Sequence, residues 1–171
     1  MPRPSLLLAP LLLLSSSAMA LEYPIGEPAL EHGMEIAAVY LQPVVMEPTG
    51  RLPAAEADIH LEADIHALED NPNGFAPGAW IPYLEIDYVL TKAGSGTAIE
   101  GRFMPMIASD GTHYGDNVRL NGPGEYHLTY TIRTPRLMRH IDNETGVDEW
   151  FDTFSVDYTF VYAGVGKKGG Y

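Results

Sequence analysis

From position 59 to position 66 the chain alternates without a slip. Ile59, Leu61, Ala63 and Ile65 fall on one face of an extended strand, and His60, Glu62, Asp64 and His66 fall on the other. One face is fit to enter a core. The other carries side chains that bind metals. Residues two apart on such a face have Cα atoms roughly 6 to 7 Å apart, so His60 and Glu62 are able to converge on one ion. A polar face on an antiparallel strand is commonly just a solvated one. Two imidazoles with two carboxylates are an unusual way to face water, and the stretch reads as the floor of a metal site.

The rest of the pattern is also β. Residues 34–41 (MEIAAVYL) are nearly all apolar and predict a buried strand, after an extended lead-in over 21–33 rich in Pro, Gly and Glu. A proline-bearing turn over 47–53 leads into the alternating strand, and Asn71-Pro72-Asn73-Gly74 and Pro77-Gly78 punctuate the next connection. Residues 80–92 (WIPYLEIDYVLTK) mix aromatic and β-branched residues as a sandwich strand does. Gly94-Ser95-Gly96 turns the chain, and 97–106 resumes an extended pattern in which Pro105 requires a sheet edge or a strand end. Ser109-Asp110-Gly111 turns it again. Tyr126, Leu128, Tyr130 and Ile132 alternate cleanly over 126–133, residues 142–148 read as a loop, 151–162 (FDTFSVDYTFVY) as an aromatic strand, and 164–171 as a glycine-rich tail. About seven strands at short spacing, with no convincing amphipathic helix, predict an all-β, immunoglobulin-like antiparallel β-sandwich in a single domain over 21–171.

The first 20 residues stand apart. Arg3 precedes an apolar run over 6–14, and Ala18-Met19-Ala20 offers the small-x-small pattern cut by signal peptidase. They read as a secretory signal cleaved after Ala20. The apolar run is short for a bilayer span, and no later segment reaches about 18 uninterrupted apolar residues. A soluble, exported protein with no direct membrane insertion is expected.

Composition narrows the chemistry. The 171-residue chain has no cysteine, which excludes disulfides, thiolate metal clusters, cysteine nucleophiles and lipid attached to cysteine. Without Arg3 the mature chain carries 9 basic against 23 acidic side chains, a net charge of −14 that repels phosphate backbones and attracts cations. Nucleic-acid binding is excluded on that ground. No phosphate-binding glycine loop and no nucleophile elbow is present.

Other segments supply further ligand types. Met104-Pro105-Met106 sets a thioether on either side of a proline, His113 follows in a glycine-flanked loop, and His140 stands at a strand-loop boundary. His60, Met106, His113 and His140 together make a mixed imidazole and thioether set that suits copper, because thioether stabilises Cu(I) and imidazole serves both oxidation states. Glu62 adds a hard oxygen suited to Fe(II), Mn(II) or Cu(II), or orients an imidazole. His127 is expected to face solvent or a neighbour, His32 to be structural, and Met46 to fill the core. His66 lies roughly 20 Å from His60 by strand rise, too far to share its ion.

Longer motifs are recognisable. Ala57-Asp58-Ile59-His60-Leu61-Glu62-Ala63-Asp64-Ile65-His66, Phe103-Met104-Pro105-Met106, Ser109-Asp110-Gly111-Thr112-His113-Tyr114-Gly115-Asp116-Asn117-Val118, and Arg139-His140 ahead of Glu144-Thr145-Gly146-Val147 resemble the periplasmic iron-transport proteins that accompany FTR-type ferrous iron permeases. The resemblance covers about 23–171. It implies a sandwich that forms a homodimer in the periplasm, binds copper through His60, Met106, His113 and His140, and takes iron (Fe2+) or its surrogate manganese close by with help from Glu62. Ile141 replaces a residue that is often polar in relatives. The implied role is a binding accessory to an inner-membrane iron permease. The alternatives are a copper-dependent redox enzyme, which a nearly saturated three-histidine, one-methionine set disfavours because turnover needs an open position, and a structural sandwich whose histidines face water.

Overall fold

The computed structural model describes residues 22–164, so the expected signal and all but the first residue of the expected tail lie outside the described residues. Among the described residues ten strands form two antiparallel sheets. In chain order they are β1 (Tyr23–Pro24), β2 (Ala29–Glu31), β3 (Met34–Leu41), β4 (Ile59–Ala67), β5 (Glu85–Lys92), β6 (Ala98–Arg102), β7 (Met104–Ala108), β8 (Gly111–Val118), β9 (Gly124–Arg133) and β10 (Phe154–Tyr162). One sheet runs β1-β3-β4-β8-β7 with β2 also on β3, and the other runs β10-β9-β5-β6. The only helical piece among the described residues is a 3-10 turn at Ala54–Glu56. The expected immunoglobulin-like antiparallel sandwich is what forms.

The core lies between the sheets. Met34, Ile36 and Ala38 of β3, Ile59, Leu61, Ala63 and Ile65 of β4, Ile86, Tyr88 and Leu90 of β5, and Tyr126, Leu128, Tyr130 and Ile132 of β9 are buried there at every second position. Leu61 has no exposed surface; its truncation to alanine would cost about 2 to 5 kcal/mol. Tyrosines bring hydroxyls into this apolar layer, where each needs a partner. Tyr130 donates to the Glu62 carbonyl at 2.8 Å, Tyr158 to the Ile36 carbonyl at 2.8 Å and Tyr114 to the Ile81 carbonyl at 2.7 Å. The first two bonds join the sheets directly, and Tyr130 ties β9 to the backbone of the strand that carries the metal-type side chains.

Several boundaries differ from the sequence expectation. The lead-in is not merely extended, since β1 and β2 pair with β3. The single run over 97–106 is two strands in different sheets: β6 pairs with β5, the chain crosses at the buried Phe103, and β7 pairs with β8. A proline at 105 is tolerated because β7 is a sheet edge. The segment around His113, read as a loop, is strand β8, joined to β7 by the two-residue turn Ser109-Asp110. Glycines at 111 and 115 mask an ordinary strand alternation. His140 is not at a strand boundary but within the long connection between β9 and β10.

Candidate metal centre

The site grows from strand register. On the outer face of the first sheet, β3, β4 and β8 place Leu41, His60 and Asn117 in one cross-strand row. The next row is Val39, Glu62, Gly115 and Met104. Beyond it His113 pairs with Met106. Side chains in register share a face, so two histidines, a carboxylate and a thioether surround a glycine.

An outer face should be wet, yet this patch is not. His60, Glu62, His113 and Asn117 are all buried, with His60 at 0% exposure. The connection between β3 and β4 is anchored on β8 at this point through Val44, Leu52 and Arg51. Ligand-type atoms of His60, Glu62 and His113 all lie within 4.8 Å of one another. Glu62 Oε1 is 3.5 Å from His60 Nε2 and 3.3 Å from His113 Nε2. Neither Nε2 has a hydrogen-bond partner. Buried polar atoms are rarely orphaned without a reason, and two imidazole nitrogens facing one carboxylate form a donor set that fits a cation.

Gly115 is the floor of this arrangement. A Cβ there would stand 2.5 Å from His60 Nε2 and 3.1 Å from Met106 Sδ. The space that any other residue would fill is bordered by nitrogen and sulfur. Met106 Sδ thus lies beside His60 Nε2 at Gly115, while His140 does not meet His60, Glu62 and His113 within the chain: it is exposed and paired with Asp142.

The electrostatics fit the same reading. Burial, opposed in part by the Asn117 hydrogen bond, pulls His60 down to about 4, and burial likewise lowers His113. Both are neutral at pH 7, as metal ligands must be. Burial first, then the charges of Asp64, Glu22 and Asp110, pushes Glu62 up to about 8. The close approach of Glu62 to the histidines is therefore not an ion pair at neutral pH but a carboxylic acid beside two neutral rings.

Next to this cluster lies a cavity of about 420 Å³ lined by Glu22, Glu62, Asp64, His66, Asp110 and His113, among others. Burial, then Glu22 and Asp110, raises Asp64 to about 6, so these carboxyls are short of cationic partners. The sequence sets Asp64 in the stretch that reads as the floor of a metal site without naming it a ligand, and it assigns Glu22 and Asp110 to no site. Asp64 was visible on the polar face of β4, but Glu22 and Asp110 reach the cavity only through the lead-in and the β7–β8 turn. His66 stays outside the three-residue cluster yet lines this neighbouring cavity. His127 is exposed beside Asp157 at 3.3 Å, and His32 stacks on Phe151 and packs at a tilt against Phe154. Met46 is half-buried in the β3–β4 connection rather than in the core.

Known proteins share this framework. The crystal structure of copper-reconstituted P19 from Campylobacter jejuni superposes with a TM-score of 0.82 at 53% identity over 85% of this chain and 99% of that one. FetP of uropathogenic Escherichia coli strain F11, expressed in the periplasm for its crystal structure, gives a TM-score of 0.82 at 56% identity over 85% and 98%. A UPF0423 protein of Brucella abortus is 54% identical over 99% of this chain and 97% of its own length. The model describing the Fe2+ transport protein family matches residues 19–164, and a match of that extent, on a chain whose site has this chemistry, means that the protein belongs to that family.

Proposed function

We propose that the protein is an exported, periplasmic metal carrier for iron uptake that holds copper at His60, Met106 and His113 and captures Fe2+ in the adjoining carboxylate-lined cavity for an inner-membrane permease. The observation that carries this reading is the pair of buried, unpartnered Nε2 atoms of His60 and His113 on either side of Glu62 Oε1, with Met106 Sδ bordering Gly115 alongside His60 Nε2. Imidazole and thioether favour copper, the metal with which P19 was reconstituted. The oxygen-rich cavity shared through Glu62 favours a harder ion such as Fe2+, with Mn2+ as its surrogate. The placement of Glu62 on the boundary lets one ion be felt at the other site.

His140 enters through a second copy. Two apolar patches stand in water: Val45, Tyr83 and Ile107 around Met106, and Met138 and Ile141 around His140. Exposed apolar surface of this kind marks an interface. A two-fold homodimer that seats each His140 loop against the other subunit's Met106 patch covers both and supplies a fourth ligand to each centre.

Elemental analysis after exhaustive dialysis, combined with iron-limited growth of cells relying on this protein, tests the reading. Stoichiometric copper and a growth defect on His113→Ala are expected. Background copper in the wild type, or unchanged growth with His113→Ala, sinks it.

A further inference from the structure

Asn117 lies beside His60 in the β4–β8 register, and it is 3% exposed. Its side-chain amide is fully engaged. Nδ2 donates to the carbonyls of Val44 at 2.8 Å and Leu52 at 2.9 Å, and Oδ1 accepts from the Val44 N–H at 3.1 Å. Turning the amide over would set its oxygen against two carbonyl oxygens and its NH2 against an N–H, so these three backbone partners allow one orientation. That orientation presents an oxygen, an acceptor and never a donor, 3.0 Å from His60 Nδ1. Nδ1 must therefore carry the imidazole proton. In a neutral ring this leaves the lone pair on Nε2, the nitrogen that borders Gly115 and Met106 Sδ.

We propose that Asn117 is the positioning residue of the centre: held by the backbone of the β3–β4 connection, it fixes His60 as the Nδ1–H tautomer and aims the Nε2 lone pair at the ion. This deepens the copper reading and rests on it for its consequence, but the tautomer itself is a property of the metal-free protein. Asn117 touches no ion. It acts through His60, and the same amide makes the fit of the β3–β4 connection part of the fit of the ligand.

Long-range 1H–15N correlation on metal-free protein with 15N-labelled histidine reads the tautomer directly. The wild type is expected to show a protonated Nδ1 and a bare Nε2 for His60. Asn117→Leu, close in size but unable to accept, is expected to populate both tautomers. It should also weaken Cu(II) binding about 10- to 100-fold, the usual effect of losing a ligand's outer partner, with altered hyperfine splitting in paramagnetic resonance. Asn117→Asp still offers Nδ1 an accepting oxygen but cannot make both donations to the Val44 and Leu52 carbonyls, so it is expected to restore the wild-type tautomer and only part of the Cu(II) affinity. An Nε2–H tautomer in the wild type overturns the proposal, as does a folded Asn117→Leu with wild-type tautomer and affinity within twofold. If Asn117→Leu does not fold, the wild type and Asn117→Asp decide, and a tautomer other than Nδ1–H in either overturns it. A wild type that shows the Nδ1–H tautomer but retains no copper sinks the copper reading and leaves the tautomer assignment standing.

Discussion

Glu62 Oε1 stands 3.3 Å from His113 Nε2, and neither group is charged at neutral pH in the metal-free protein. Burial and the neighbouring carboxylates push Glu62 up to about 8, and its Oε1 lies within 3.5 Å of both histidine Nε2 atoms. Cation entry should then expel the Glu62 proton, because a nearby positive charge favours the carboxylate. Calorimetric titration with Cu(II) in buffers of different ionisation enthalpy should find about one proton released per ion near pH 7, falling toward none above about pH 9. Glu62→Gln should bind copper without that release. Equal proton release from both proteins would show that Glu62 is not the group displaced.

The same shifts fix the sign of the pH dependence of stability. Folding raises Glu62 from 4.5 to about 8 and Asp64 from 3.8 to about 6. The folded state therefore holds these protons more tightly than the unfolded chain. Their contribution is complete below the ordinary carboxyl values and is lost as pH rises, Asp64's through about 6 and Glu62's through about 8. His60, lowered from 6.5 to about 4, acts in the opposite sense, and its contribution is lost as pH falls between those values. Above pH 6.5 only the carboxyls remain. The melting temperature of the metal-free protein should fall from pH 6.5 to 8.5, and Glu62→Gln should flatten the decline. A flat wild-type profile in that window would contradict the assignment.

Gly115 offers a steric test. The added methyl of Gly115→Ala would meet His60 Nε2 at 2.5 Å, so the ring or the strand must shift. Overpacking of this kind costs about 1 to 3 kcal/mol, which an intact sandwich tolerates. Copper retention after dialysis should drop at least tenfold while the far-ultraviolet dichroism stays β-type. Retention at the wild-type level would mean that the ion sits elsewhere.

How far the sequence carried these conclusions depended on whether a side chain's position follows from its own strand. The β4 alternation places His60 and Glu62 on one face and Leu61 on the other, and both placements hold because period two survives any packing of the sheets. The flanking Gly111 and Gly115 make His113 look like a loop residue in the sequence, although His113, Gly115 and Asn117 alternate as strand residues do. Neither the cradle at Gly115 nor the amide clamp at Asn117 was legible. Each depends on a strand or a connection distant in the chain arriving beside it: Met106 across β7 for the first, Val44 and Leu52 for the second. The acidic cavity was hidden for the same reason, since Glu22 and Asp110 meet Asp64 only when the sheet is assembled.

The separation of His140 from the other ligand types yields a test of assembly that single substitutions do not. Within one chain His140 is exposed and bonded to Asp142, outside the cluster of His60, Glu62 and His113. If a second subunit supplies it, His60→Ala and His140→Ala each damage every centre in their own homodimers. A mixed dimer behaves differently. One centre pairs the intact His60 of the His140→Ala chain with the intact His140 of the His60→Ala chain and is whole, while the other lacks both residues. Unfolding and refolding the two variants together at equal ratio gives one half mixed dimers by statistics. Each mixed dimer restores one of its two centres, so about one quarter of the wild-type copper should return at stoichiometric loading. A mixture that binds no more than its separate components would place His140 outside the centre, and His140→Ala with undiminished affinity would make the loop's histidine dispensable. Ile107→Asp, which puts charge into the apolar patch beside Met106, should shift the protein toward monomer in sedimentation and abolish the recovery.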